Sequence, residues 1–195
     1  MALVVLCSAL DYKAKDDKSA VKPLTVTAYN KLEARLDAAG FTPSVFLTEK
    51  LSDISARIGL SNDEVSHIEK LLLRADKLGE ELDRLAEKKI YVTGRTQQNY
   101  PAKLRKAMGK SAPPIFFYCG NIQLLEAETV AIIGSREASE QEAEYAAKHA
   151  RISAQNGKVV VSGGARGIDS IAKEAALHAN GKVITYVSDD MTGYI

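Results

Sequence analysis

A junction that occurs twice in the second half of the 195-residue chain constrains its fold most: a short apolar run ends in glycine and leads into a helical pattern. Val130-Ala131-Ile132-Ile133 runs into Gly134-Ser135-Arg136. Val159-Val160-Val161 runs into Ser162-Gly163-Gly164-Ala165-Arg166-Gly167-Ile168-Asp169. Helical patterns over 140–156 and 170–179, each followed by a glycine (Gly157, Gly181), separate these runs from each other and from a third at 183–187. Strand, helix, strand, helix, strand, with continuous rather than alternating apolar strands, predicts a parallel sheet covered by helices on both faces. Two further β-rich runs, 90–93 and 115–118, precede it. The expected class is α/β, with a Rossmann-like and mostly parallel sheet.

Residues 1–88 read differently. A short apolar helix is expected over 2–10, a solvated lysine and aspartate loop over 11–22, and a helix over 27–39 that carries Tyr29, Leu32 and Leu36 and is closed by Gly40. Residues 51–58 predict another short helix. Ser61 and Glu64 form a capping box that launches one long helix through Val65, Ile68, Leu71, Leu72, Leu78, Leu82 and Leu85 to about residue 88. The expected organisation is an α-helical unit, 1–88, followed by the Rossmann-like unit, 89–195.

Composition and charge narrow the function. With 46% hydrophobic and 26% charged residues, 13 Gly and 5 Pro, the chain is neither disordered nor fibrous. Twenty-six Lys+Arg against 25 Asp+Glu leave a net charge of +1, so any anion site must be a local cluster or a set of backbone amides. Cys7 and Cys119 are far apart with no ligand-spaced Cys or His partner, which predicts buried thiols in a reducing compartment and no metal. The longest apolar run, at the N-terminus, is too short to cross a bilayer, so a cytoplasmic location is expected.

In open parallel sheets, ligands bind beyond the carboxyl ends of the strands, where helix N-termini point. Both glycine turns fall there. Gly134 permits close backbone approach, Ser135 offers a hydroxyl and Arg136 a bidentate guanidinium. Gly163, Gly164 and Gly167 predict a nest of backbone N–H groups beside Ser162 and Arg166, with Asp169 as the N-cap of the next helix. Such turns also arise simply because a strand must bend sharply into its helix. Two on successive strands, each with an arginine, favour an anionic ligand. GxGxxG and GK[ST] are absent, which disfavours NAD chemistry and P-loop hydrolysis. On a helix begun at Pro101, Lys103, Lys106 and Lys110 would share a face as an auxiliary basic patch. His67, His149 and His178 lack nucleophile or acid partners in sequence, so no catalytic residue is assigned. Gly59, between Ile58 and Leu60, reads as a tight inter-helix turn.

The order of these pieces resembles a known family. Tyr100-Pro101 with Leu104, Pro113-Pro114-Ile115-Phe116-Phe117-Tyr118 with Gly120-Asn121 and Leu124-Leu125, then Gly134-Ser135-Arg136 and the loop from Ser162 to Asp169, look like the DNA-processing protein A (DprA/Smf) family over roughly residues 88–190. The resemblance implies a non-enzymatic, cofactor-free protein that binds single-stranded DNA during natural transformation, helps load the recombinase RecA, and forms a homodimer. It places Arg136 in the basic pocket, with Gly134, Ser135 and residues 162–169 beside it. The family's fold continues past the strand at 183–187 into an RNR-type segment and the dimer and RecA-binding helices. Here Ser188-Asp189-Asp190 and five more residues follow, so an incomplete Rossmann-like unit and pocket are expected, with two carboxylates that would repel phosphate. The rival reading is a nucleotide-binding or phosphoribohydrolase-like domain acting on a nucleoside phosphate. In that case Asp169 or Glu174 would supply the acid.

Overall fold

The computed structural model describes residues 1–10, 21–187 and 191. The described chain divides into two compact units, Met1–Gly120 and Asn121–Ile195. The change from helical to strand periodicity at residue 88 therefore does not mark the packing boundary. The first two strands lie with the helices.

The first unit holds α1 (Ala2–Cys7), α2 (Val26–Ala38), α3 (Val45–Thr48), α4 (Leu51–Ile58), α5 (Asn62–Leu72), α6 (Ala75–Glu87), β1 (Ile90–Gly94), α7 (Ala102–Met108) and β2 (Ile115–Cys119). Its core is built by the helical stripes: Leu6, Leu32, Leu36, Val45, Phe46, Ile54, Ile58, Ile68 and Leu71 form one buried cluster. Leu36, Ile54 and Leu71 are fully buried, each contributing roughly 2 kcal/mol of apolar transfer free energy. Gly59, at φ +65°, ends α4 in the left-handed conformation and turns the chain toward α5, as the tight-turn reading requires. Most of the loop expected over 11–22 lies outside the described residues.

The single long helix expected after Ser61 is two helices. Ser61 and Glu64 do make the reciprocal capping box of α5, and an ion pair from Arg35 together with the cap hydrogen bonds holds the Glu64 carboxyl below its usual range. The helix then breaks at Leu73 and Arg74. Leu73 is turned out to 86% exposure, while Arg74 is buried and donates from Nη2 to the Ser8 carbonyl at 2.6 Å. The break thus coincides with a bond that ties Arg74 to the end of α1.

β1 and β2 pair antiparallel, with Tyr91 opposite Tyr118 and Thr93 opposite Phe116. They form a two-stranded ribbon separate from the parallel sheet. Gly94 closes β1 where a Cβ would stand 2.7 Å from Leu3 Cδ1, so α1 packs directly on the strand end. Cys7 lies in this unit, and desolvation raises its thiol pKa to about 12 against a weaker opposing effect of Arg95. Cys119 is exposed. A thiol reagent at pH 8 is expected to modify Cys119 rapidly and Cys7 only after denaturation; rapid reaction of both in the native protein would contradict this.

The second unit begins with a 3-10 turn (Ile122–Glu126) and continues through β3 (Thr129–Ala131), α8 (Glu140–Gln155), β4 (Val159–Gly163), α9 (Ile168–His178) and β5 (Val183–Tyr186). The three strands are parallel in the order β3-β4-β5. Two right-handed crossovers that advance in the same direction put both helices on one face, and α8 and α9 do pack against each other and on β4. Their shared core is made of small residues, Ala150, Ala172, Ala175 and Ala176 around Val160. The expectation of helices on both faces is thus corrected within this unit: the register puts Ala131, Ile133 and Tyr186 on the opposite face, and all three are exposed. Ser139 and Glu142 cap α8 with a second capping box, whose hydrogen bonds hold the Glu142 carboxyl below its usual range.

Candidate nucleic-acid interface

The two glycine turns meet at the carboxyl ends of β3 and β4. The Ile168 amide at the start of α9 donates to the Ser135 carbonyl at 3.1 Å, tying the second loop to the first. Gly134 lies under Ile168 so closely that a Cβ would stand 2.8 Å from its side chain. Gly167 adopts φ +83° and ψ −135°, and a Cβ there would strike the carbonyl oxygens of Ser135 and Arg136. The glycines are therefore required by contact between the loops. Arg136 and Arg166 are both exposed on this assembled surface.

Not every residue expected at the site is free to bind. Ser162 is buried in β4, and its hydroxyl donates to the Ile132 carbonyl at 2.7 Å, so it is a strut between neighbouring strands. The Ser135 hydroxyl donates to the Glu137 carbonyl and accepts from the Glu137 amide, both at 3.0 Å, which fixes the loop that carries Arg136. Of the expected nest, Gly163 and Gly164 are half-buried beside the exposed Arg166, and Gly167 lies against the first loop, where the neighbouring Ile168 amide is already engaged. Ser170 braces the same loop by donating to the Ala165 carbonyl at 2.9 Å.

Asp169 is not the N-cap. Gly167 occupies that position, and Asp169 sits in the first turn of α9, only 7% exposed. Its Oδ2 lies 2.5 Å from where a Cβ of Gly163 would be, and its buried Oδ1 has no hydrogen-bond partner. The positive end of the helix dipole compensates such a carboxylate, which then offsets part of the positive potential of the two arginines. Ser188, Asp189 and Asp190 lie outside the described residues.

The auxiliary patch is divided by the end of α7. Lys103 and Lys106 lie on that helix, but Gly109, at φ +52°, terminates it, and Lys110 falls in a following 3-10 turn where its carbonyl accepts from Asn30. Arg95, which follows β1 and carries no motif signal in the sequence, is anchored beside this patch. Its Nη1 contacts Glu33 at 3.0 Å and Asn30 at 2.8 Å, and its Nη2 donates to the Ala112 carbonyl. Two of the histidines have partners: His67 Nε2 bonds the Lys22 carbonyl at 2.7 Å, and His149 packs on the Tyr145 ring. Among the described residues, no group of His, Cys, Asp or Glu is arranged to hold a metal ion, and no helix is long and apolar enough to cross a membrane.

A three-stranded parallel unit with interlocked glycine loops and two exposed arginines at its strand ends defines a Rossmann-like α/β protein. A sequence model of the family described as DNA recombination-mediator protein A matches residues 91–194, more than half of the chain, and the chain belongs to that family. It is 43% identical over 76 residues to the DNA processing protein DprA of Streptococcus pneumoniae (strain ATCC BAA-255 / R6), a stretch covering 39% of this chain and 27% of that protein. The X-ray structure of DNA processing protein A from Streptococcus pneumoniae superposes with a TM-score of 0.58 at 29% identity, covering 87% of this chain and 59% of the other. The chain thus spans less than two thirds of the length of either relative.

Proposed function

We propose that the second unit binds single-stranded DNA, with Arg136 and Arg166 gripping backbone phosphates from loops that the glycines at 134, 163 and 167 allow to interlock beneath them. The observation that carries this reading is the interlock of the two turns, which presents two exposed arginines from successive loops at one edge. Membership of the DNA recombination-mediator family supports a place in DNA processing during recombination. Under this reading the protein is a cytoplasmic, non-enzymatic mediator that delivers bound DNA to a RecA-type recombinase. Ser135, Ser162 and Gly167 hold the loops. Lys103 and Lys106 extend the basic surface of the first unit.

The buried Asp169 carboxylate beside the glycine loop is the one observation favouring the rival reading, in which a nucleoside phosphate is hydrolysed. Two parallel assays separate them. Retention of a labelled oligo-dT with no base released from nucleoside monophosphates is expected; release of free base without oligonucleotide retention would overturn the binding reading in favour of the enzyme.

A further inference from the structure

The first unit contains a cleft of about 490 Å³, separate from the glycine loops, lined by Arg95, Thr96, Gln98, Tyr100, Arg105 and Lys106. A volume of this order accommodates a nucleotide-sized group. Residues 94–112 carry five cations, Arg95, Lys103, Arg105, Lys106 and Lys110, and no acidic residue, in a chain whose net charge is +1. Glu33 is paired with Arg95 at 3.0 Å.

Two of the cationic groups, Arg95 and Arg105, are held in place. Arg95 has a side chain only 10% exposed, anchored by Glu33, Asn30 and the Ala112 carbonyl, and its buried Nε has no hydrogen-bond partner. Arg105 donates to the Arg95 carbonyl and lies over the Tyr100 ring, its guanidinium carbon 5.4 Å from the ring centre. Tyr100 is itself buried and fixed through its hydroxyl to the Pro113 carbonyl at 2.8 Å. A guanidinium braced in this way loses little conformational entropy on binding, and it retains further N–H donors in a fork that matches phosphate. Lys106, on the exposed side of α7, adds a second cation, while Thr96 and Gln98 add neutral hydrogen-bonding groups.

From this geometry we infer that the cleft is a phosphate-binding site, taking the phosphate of a nucleotide or of a single-stranded DNA backbone. The phosphate chemistry stands on the cleft alone; the strand as its source rests on the proposed function. The test is an amide chemical-shift titration of the full chain with dTMP and, separately, with a six-residue oligo-dT. Shifts are expected at residues 95–98 and 102–106. They are expected to persist in Arg136→Ala and to disappear in an Arg105→Gln/Lys106→Gln double variant, whose folding is checked by its remaining spectrum. In oligo-dT binding, losing two phosphate contacts is expected to reduce the slope of log affinity against log salt by about 1.4. A response to the oligonucleotide alone identifies the strand as the source, and a response to dTMP identifies a mononucleotide. No shift at these residues with either probe, or shifts that survive the double variant, would overturn the site. Shifts at 134–136 and 162–169 report separately on the second unit, so failure of the two readings is distinguishable.

Discussion

Replacing Gly167 with alanine is expected to destabilise the second unit by roughly 2–4 kcal/mol and to abolish the loop interlock. Two costs add. The backbone at φ +83° and ψ −135° lies in a region that L side chains rarely adopt, and the new methyl would meet the Ser135 carbonyl and stand 2.7 Å from the Arg136 carbonyl. Because both obstacles are backbone, no rotamer change relieves them. Relaxation must lift α9 away from the first loop and break the bond from the Ile168 amide to the Ser135 carbonyl. Hydrogen exchange resolves the prediction by position: the amides of Ile168 and of β4 should lose protection while the helices of the first unit keep theirs. Unchanged protection and an unchanged urea midpoint would show that the turn is not strained.

A comparable loss is expected in the first unit from Glu33→Ala. The variant leaves the Arg95 guanidinium without its ionic partner in a site where its side chain is 10% exposed, and removes the acceptor of the Tyr29 hydroxyl at 3.0 Å. Breaking a buried pair from one side costs about 3–5 kcal/mol. Since Glu33 itself is 27% exposed, water compensates in part, and a loss of about 2–3 kcal/mol is expected. The mechanism predicts strong coupling: Arg95→Met with Glu33→Gln should cost less than the sum of the two single changes, because the double variant buries no lone charge. Urea denaturation of the four proteins measures this. Additive losses, or a change below about 0.5 kcal/mol for Glu33→Ala, would mean that the pair is not an integral part of the core.

The parts of this molecule legible in its sequence are those fixed by local pattern. The capping boxes at Ser61 and Ser139, the stops at Gly40 and Gly59, and the succession of β3, α8, β4, α9 and β5 follow from spacing and turn chemistry within a few residues. What was not legible depends on partners distant in the chain. The leucine repeat runs unbroken through residue 73, and the break there accompanies a bond from Arg74 to the Ser8 carbonyl, 66 residues away. Strand order is equally invisible to periodicity, so both faces of the sheet were expected to be covered although the two crossovers place both helices on one. Within the site, Arg136 and the glycines could be picked out by residue type. The assignment of Ser162 to a strand-to-strand strut and of Asp169 to a buried carboxylate required the three-dimensional register. A local signal for the end of α7 did exist in Gly109, and so did one for the cleft, in the acid-free run of residues 94–112.

Whether the arginines on the interlocked loops hold the backbone of single-stranded DNA is decided by titrating a labelled oligo-dT with the unaltered chain and with Arg136→Ala at two salt concentrations. Arg136 is exposed and makes no contact that the fold requires, so the variant should fold normally. Binding is expected to weaken as salt rises, and the variant to show a lower affinity with a log–log salt slope shallower by about 0.7, the loss of one phosphate contact. Equal affinity and equal slope for the two proteins would contradict this role of the arginines.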